Sequence, residues 1–71
     1  MSSEQIRALL RKQPFEHLDV RLSNGEHYTI SHPEQVLLTK NTLHIYYPEN
    51  DQVAMISLLH VASIERFEFT S

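Results

Sequence analysis

The chain has no cysteine, no tryptophan and a single glycine among its 71 residues. Without cysteine, neither a disulfide nor a thiolate metal site can hold the fold together. The same absence fits a reducing compartment, and a cytoplasmic location is expected. With one glycine and three prolines, low complexity is excluded. No apolar run approaches the roughly 20 residues of a membrane helix. The opening MSSEQIRALLRKQ also lacks the apolar stretch of a signal peptide. No membrane association is therefore expected. Basic charge is scarce: six Lys and Arg stand against nine Asp and Glu, a net charge of −3. That balance argues against a nucleic-acid surface. No phosphate loop, dinucleotide fingerprint or nucleophile elbow is present. An enzyme is not expected, and no cofactor is implied.

What is present is enough to fold. Hydrophobic residues make up 41% of the chain, which reads as one small domain over residues 1–71. A domain of this length buries only about 60% of its unfolded surface, so its stability is marginal without help. Oligomerisation is the one form of help that the composition leaves open, and a homo-oligomer is expected.

The stretch HLDVRLSNGEHYTISH, His17 to His32, reads as a β-hairpin. Leu18, Val20 and Leu22 alternate with His17, Asp19 and Arg21, the period of a half-buried strand. Tyr28 and Ile30 continue the alternation after the turn. A two-residue Asn24-Gly25 loop would set apolar residues opposite polar ones. A three-residue loop, Ser23-Asn24-Gly25, pairs Leu22 with Glu26, Val20 with Tyr28 and Leu18 with Ile30, and the apolar faces match. Such a loop ends in a left-handed residue, the place for Gly25.

Before the hairpin, Ser2 and Gln5 fit a capping box. Ile6, Leu9 and Leu10 form one apolar stripe, and Pro14 predicts a stop near Gln13. The helix spans about 2–13, and Phe15 leads into the core. After the hairpin, Pro33 predicts a corner at His32-Pro33-Glu34-Gln35. Val36 to Thr39 is then extended, with a Lys40-Asn41 turn pairing Leu38 with Leu43 and Val36 with Ile45. A loop over 49–52 pairs Tyr47 with Ala54, Ile45 with Ile56 and Leu43 with Leu58. Leu59 to Ala62 reads as a helical turn, and Ser63 to Phe69 as the last strand. Ile64 lies on one face of that strand, Phe67 and Phe69 on the other. A bulge near Glu65-Arg66 reconciles them, as does placing Ile64 in the helical turn. The fold class is mainly β: a helix, then a five- or six-stranded antiparallel meander that closes to remove its edges.

The run RKQPFEHLDVRLSNGEHYTISHPE resembles small bacterial proteins with a PF segment, an L-S-[DN]-G turn and an HPE corner, a group that brings no activity with it. The order of elements resembles the Sm-like barrel, a relative of SH3-like barrels. Asn41-Thr42-Leu43-His44-Ile45 is loosely similar to the first Sm motif, without its acidic residue and Met. Leu59 to Ile64 occupies the place of the second motif, with His60 and Val61 where its Arg-Gly pair belongs. The resemblance implies a small closed barrel. It also supplies the competing function, an Sm-like RNA-binding protein, although the RNA-binding residues do not carry over.

Candidate chemistry is thin. No two of the five histidines stand at i and i+2, the spacing of a strand metal site. No metal is expected, and the histidines read as surface and corner residues. His32 and Glu34 could form an acid–base pair, but no nucleophile accompanies them; a rigid corner capped by His32 accounts for both. Glu49, Asn50 and Asp51 lack the spacing of a calcium loop. Arg7, Arg11, Lys12 and Arg21 could line a basic patch with Tyr46 as a stacking ring. Leu37, Tyr46 and Met55 fall on the outward face, Tyr46 beside Met55 and Leu37 beside His44. With Phe67 and Phe69 of the last strand they form the candidate interaction surface. Clustered apolar residues outside a core mark an interface. A non-enzymatic interaction module, self-associating or binding a protein partner, is the function these residues imply.

The charge balance and the replaced Arg-Gly pair give the first prediction. The protein is expected not to retain short RNA at physiological salt. Micromolar, salt-sensitive binding of a U-rich or A-rich oligomer in a gel shift would overturn it.

Overall fold

The computed structural model describes residues 2–67. The helix α1, Ser3–Arg11, begins as its capping box dictates. The Gln5 amide donates to Ser2 Oγ at 3.3 Å, and the Ser2 amide donates to Gln5 Oε1 at 3.2 Å. It stops two residues before Gln13, with Lys12 as C-cap. Its stripe does the expected work: Ile6 is fully buried, and Leu9 and Leu10 pack against the same core.

Six strands follow: β1 His17–Leu22, β2 His27–Ile30, β3 Val36–Leu38, β4 Thr42–Tyr47, β5 Gln52–Ser57 and β6 Val61–Phe67. The β1–β2 hairpin has the expected register, Leu18 opposite Ile30 and Val20 opposite Tyr28. Its three-residue loop closes with the Leu22 amide donating to the Glu26 carbonyl at 2.8 Å. Gly25 takes φ +92° there. The β3–β4 register is also as expected, Val36 opposite Ile45 and Leu38 opposite Leu43.

The expected closed barrel does not form, and the strands are not one meander. They divide into two three-stranded sheets, in the orders β2-β1-β6 and β3-β4-β5. Two 3-10 turns cause the division. Pro33–Gln35 carries the chain from the first sheet to the second, and Leu58–His60 carries it back. Pro33 has no amide to donate, so no ladder runs through that corner. The second turn spends its amides locally and on both sheets. Leu59 N–H donates to Ser57 Oγ, Leu58 N–H to the Asn41 carbonyl, and the His60 carbonyl accepts from Ser23 N–H. After that turn β6 pairs with β1, its neighbour in space, and not with β5.

The bulge in the last strand lies elsewhere than near Glu65-Arg66. Val61 is opposite Leu22 and Ser63 opposite Arg21, so Ala62 is the extra residue. That insertion lets Val61 and Ile64, three apart, both pack with the core. Phe67 lies opposite His17; Phe69 falls outside the described residues.

The β4–β5 register is two residues from the expected one. Tyr47 is opposite Gln52, Ile45 opposite Ala54 and Leu43 opposite Ile56. The loop is Pro48 to Asp51, built on a turn in which the Asn50 amide donates to the Tyr47 carbonyl. Asp51 closes it with φ +52°. A slip of two keeps every side chain on its face, so alternation alone could not detect it.

One core serves both sheets. Leu18, Val20, Ile30 and Val61 of the first meet Leu43, Ile45 and Ile56 of the second, with Ile6 and Leu58 completing it. A hydrogen bond also joins the sheets: Tyr47 OH donates to the Thr29 carbonyl at 3.2 Å.

Two predictions follow from this arrangement. A Cβ at Gly25 would meet no atom within 4 Å, so the cost of Gly25→Ala is backbone strain alone. It is expected to be about 1 kcal/mol, a fall in Tm of roughly 4–8 °C. An unchanged Tm would contradict the left-handed turn. The second prediction concerns alkaline pH. Burial raises the pKa of the Tyr47 hydroxyl from its ordinary 10.0, and nearby Tyr28 and Glu49 add to the rise. A pKa raised by folding means that the folded state favours the neutral phenol. That stabilisation is intact below about pH 10 and lost as pH climbs through the higher folded value. Tyr47→Phe is expected to cost about 0.5–1.5 kcal/mol at pH 7. The gap in Tm from the parent should narrow above pH 10; a constant gap would contradict the role given to this hydroxyl.

A candidate interaction face

Each sheet turns one side to the core and the other outward, and the two outer sides differ in chemistry. On the first sheet the outer side is polar. Asp19, between Leu18 and Val20 on β1, points away from the core yet is only 5% exposed. Its carboxylate accepts from Arg21 Nε at 3.1 Å and lies 3.0 Å from His27 Nδ1 on β2. Arg21 also pairs with Glu65 on β6. The buried carboxylate thus links β1 to β2 through His27, and Arg21, which it holds, extends the network to Glu65 on β6. Alternation marked Asp19 as outward and so as solvated. Its long neighbours Arg21 and His27 cover it instead.

On the second sheet the outer side is apolar. Cross-strand rows there read Leu37–His44–Met55 and, one step along, Tyr46–Val53. Leu37 is 65% exposed, Met55 75%, Val53 56% and Tyr46 41%. These residues are outward because Leu43, Ile45 and Ile56, at the alternate positions, are buried. His44 is held in place by Thr42 Oγ1 at 2.9 Å from its Nε2. Tyr46 OH donates to Asp51 Oδ1 at 3.2 Å, which lays the ring toward the 48–51 loop.

The structure brings Leu37, Tyr46 and Met55 onto one face, as expected. The pairing within it is different: Tyr46 sits beside Val53, and Met55 beside His44. Val53 belongs to this face and was missed, although its parity with Met55 was the available signal. Leu59, almost fully exposed, was also missed; it lies in the 3-10 turn, beyond any alternation. Phe67 is on β6 of the other sheet and not on this face.

The remaining sequence candidates come apart. At the corner it is Gln35, not His32, that caps. Its Oε1 accepts from the Ser31 and His32 amides at 3.0 and 2.9 Å, and its Nε2 donates to the Tyr46 carbonyl at 3.0 Å. The basic patch is not assembled. Lys12 pairs with Glu16 at 3.1 Å, Arg21 is held by Asp19 and Glu65, and Tyr46 stands on the opposite sheet. Lys12, with Arg66 on the other side, holds the exposed Glu16 carboxyl below its ordinary pKa. Among the described residues, no three His, Asp or Glu side chains are grouped to hold a metal ion. No helix among them is long and apolar enough to cross a membrane.

Two open clefts flank the sheets. One, of about 470 Å³, lies between the start of α1 and the Lys40-Asn41 turn; it presents Glu4 and Lys40 together, so it favours neither sign of charge. The other, of about 380 Å³, lies beside Tyr47 and Glu49 under the Pro33 corner. Comparisons of the chain with known protein families, with curated proteins and with solved structures find no match.

Proposed function

We propose that this chain is a non-enzymatic interaction module that self-associates through the Val53–Met55 side of its second sheet. The observation that carries the reading is the contrast of outer faces. One sheet spends its outer side on a buried Asp19 network. The other leaves Leu37, Tyr46, Val53 and Met55 together in solvent. Scattered apolar side chains on a surface mean little; four in two adjacent cross-strand rows form a patch. Tyr and Met are the residue types enriched at interface centres, and Thr42 and Ser57 supply polar neighbours on the same face. A chain this short gains stability from any partner that binds only the folded state. A second copy is the partner always present at matching concentration.

The test is sedimentation velocity over about 1–500 µM protein, the range in which a small interface associates. The weight-average mass is expected to rise from one chain toward two. The double variant Val53→Lys, Met55→Lys should stay at one chain with unchanged circular dichroism. A parent that remains at one chain throughout would overturn the reading.

A further inference from the structure

A sheet of three strands has two edges, and the edges of this molecule are not equally guarded. β3 is three residues long, follows the Pro33 turn and is capped by Gln35. β2 is four residues long. β6 carries the bulge at Ala62, and its Glu65 and Arg66 are engaged by Arg21 and Glu16. Short length, proline, bulges and charge are the devices that keep edges from pairing with other chains. β5 has none of them. Its sequence, QVAMIS, is six residues long with no charge, no proline and no bulge.

The hydrogen-bond pattern says which groups of β5 are open. Leu58 N–H donates to the Asn41 carbonyl at 3.0 Å. In an antiparallel ladder bonded pairs alternate, so Leu43–Ile56, Ile45–Ala54 and Tyr47–Gln52 are the bonded pairs that follow. Residues 52, 54 and 56 therefore spend their amides and carbonyls on β4. Those of Val53 and Met55 point away from the sheet, as does the amide of Ser57; the Ser57 carbonyl is taken by the Leu58–His60 turn that it caps. The same residues send their side chains to the outer face.

Resting on the self-association proposed above, we propose that two copies pair their β5 edges antiparallel about a two-fold axis at Met55. The two three-stranded sheets then become one of six strands. In β5 the open backbone groups are those of Val53 and Met55 and the amide of Ser57, so only registers that oppose these residues form bonds. Setting Met55 against Met55 also sets Val53 against Ser57 and Ser57 against Val53. The Met55 pair exchanges two bonds, and the Ser57 amide of each copy donates to the Val53 carbonyl of the other, about four in total. The charges agree with this choice. Asp51, at the start of the strand, meets the Leu59 end of the second copy and not its own mate. The outer face gains a continuous row, Leu37–His44–Met55 running into Met55–His44–Leu37 of the second copy.

The cysteine-free chain makes the test clean, because an introduced thiol is the only one. Directly opposed bonded residues have Cα atoms about 5.5 Å apart, within the roughly 4.4–6.8 Å that a disulfide spans. Met55→Cys is expected to cross-link into a two-chain species under mild oxidation. Val53→Cys alone should not, since its mate lies four residues along, about 13 Å away. The double variant Val53→Cys, Ser57→Cys should cross-link again. In the parent, the amides of Met55 and Ser57 should exchange hydrogen at least about tenfold more slowly as the mass doubles. Those of Ala54 and Ile56 should change little. Doubled mass with no slowing at 55 and 57 would overturn edge pairing while leaving self-association intact. Assemblies larger than two, with β6 amides slowed as well, would replace the two-fold by head-to-tail pairing and overturn it too. No change in mass and no slowing would remove the self-association itself.

Discussion

Everything in this fold depends on β1 being paired on both sides. One partner, β2, is local, joined by three residues and the left-handed Gly25. The other, β6, returns some forty residues later. A loop of that length adds only a few kcal/mol to the entropic cost of closure, because the cost grows with the logarithm of length. The return brings Val61 and Ile64 over Leu22 and Val20, so the far end of the chain closes the core that the near end began. The Ala62 bulge makes this possible. Without the extra residue, Val61 and Ile64 would lie on opposite faces, and one would leave the core.

The second sheet hangs on this frame at two points, both 3-10 turns. Each is three residues long, and each ends a strand of one sheet before starting a strand of the other. Their compactness keeps the sheets face to face, while their backbone groups are used up within the corner. The result is two sheets sharing a core, with Tyr47 OH reaching the Thr29 carbonyl across the gap where a barrel would have a ladder. A single phenolic hydrogen bond does locally what continuous strand pairing would do along a whole edge.

The two outer faces show how one alternating pattern serves two ends. In β1 the residue between two core positions is Asp19, and Arg21 and His27 converge on it, with Glu65 of β6 reached through Arg21. In β4 and β5 the corresponding positions hold His44, Tyr46, Val53 and Met55, with nothing from the described residues laid across them. The first arrangement satisfies a carboxylate at the cost of ordering Arg21 and His27. The second leaves apolar area in water, which is unfavourable for an isolated chain and favourable only when something covers it.

Much of this was legible in the residues, and the limit has a plain physical form. Alternation carries information modulo two: it says which face a side chain takes and nothing about how far a strand has slid. Where a residue of special conformation pinned the turn, the register was readable. Gly25 did so for β1–β2, since only one loop length both matched the faces and put a glycine in the left-handed position. The 48–51 turn has no glycine. Its left-handed residue is Asp51, which nothing in the local sequence distinguishes from Asn50. The faces of β5 were therefore right and its pairing wrong by two. The expected neighbour of Tyr46 became Met55 when it is Val53. The same reasoning explains the barrel. Each hairpin was derived from contiguous residues, but whether successive hairpins share a ladder depends on the corners between them. A 3-10 turn such as Leu58–His60 looks, in sequence, like the end of one strand and the start of the next. The candidate face survived these errors because it is defined by parity, the one property that a slip of two leaves untouched.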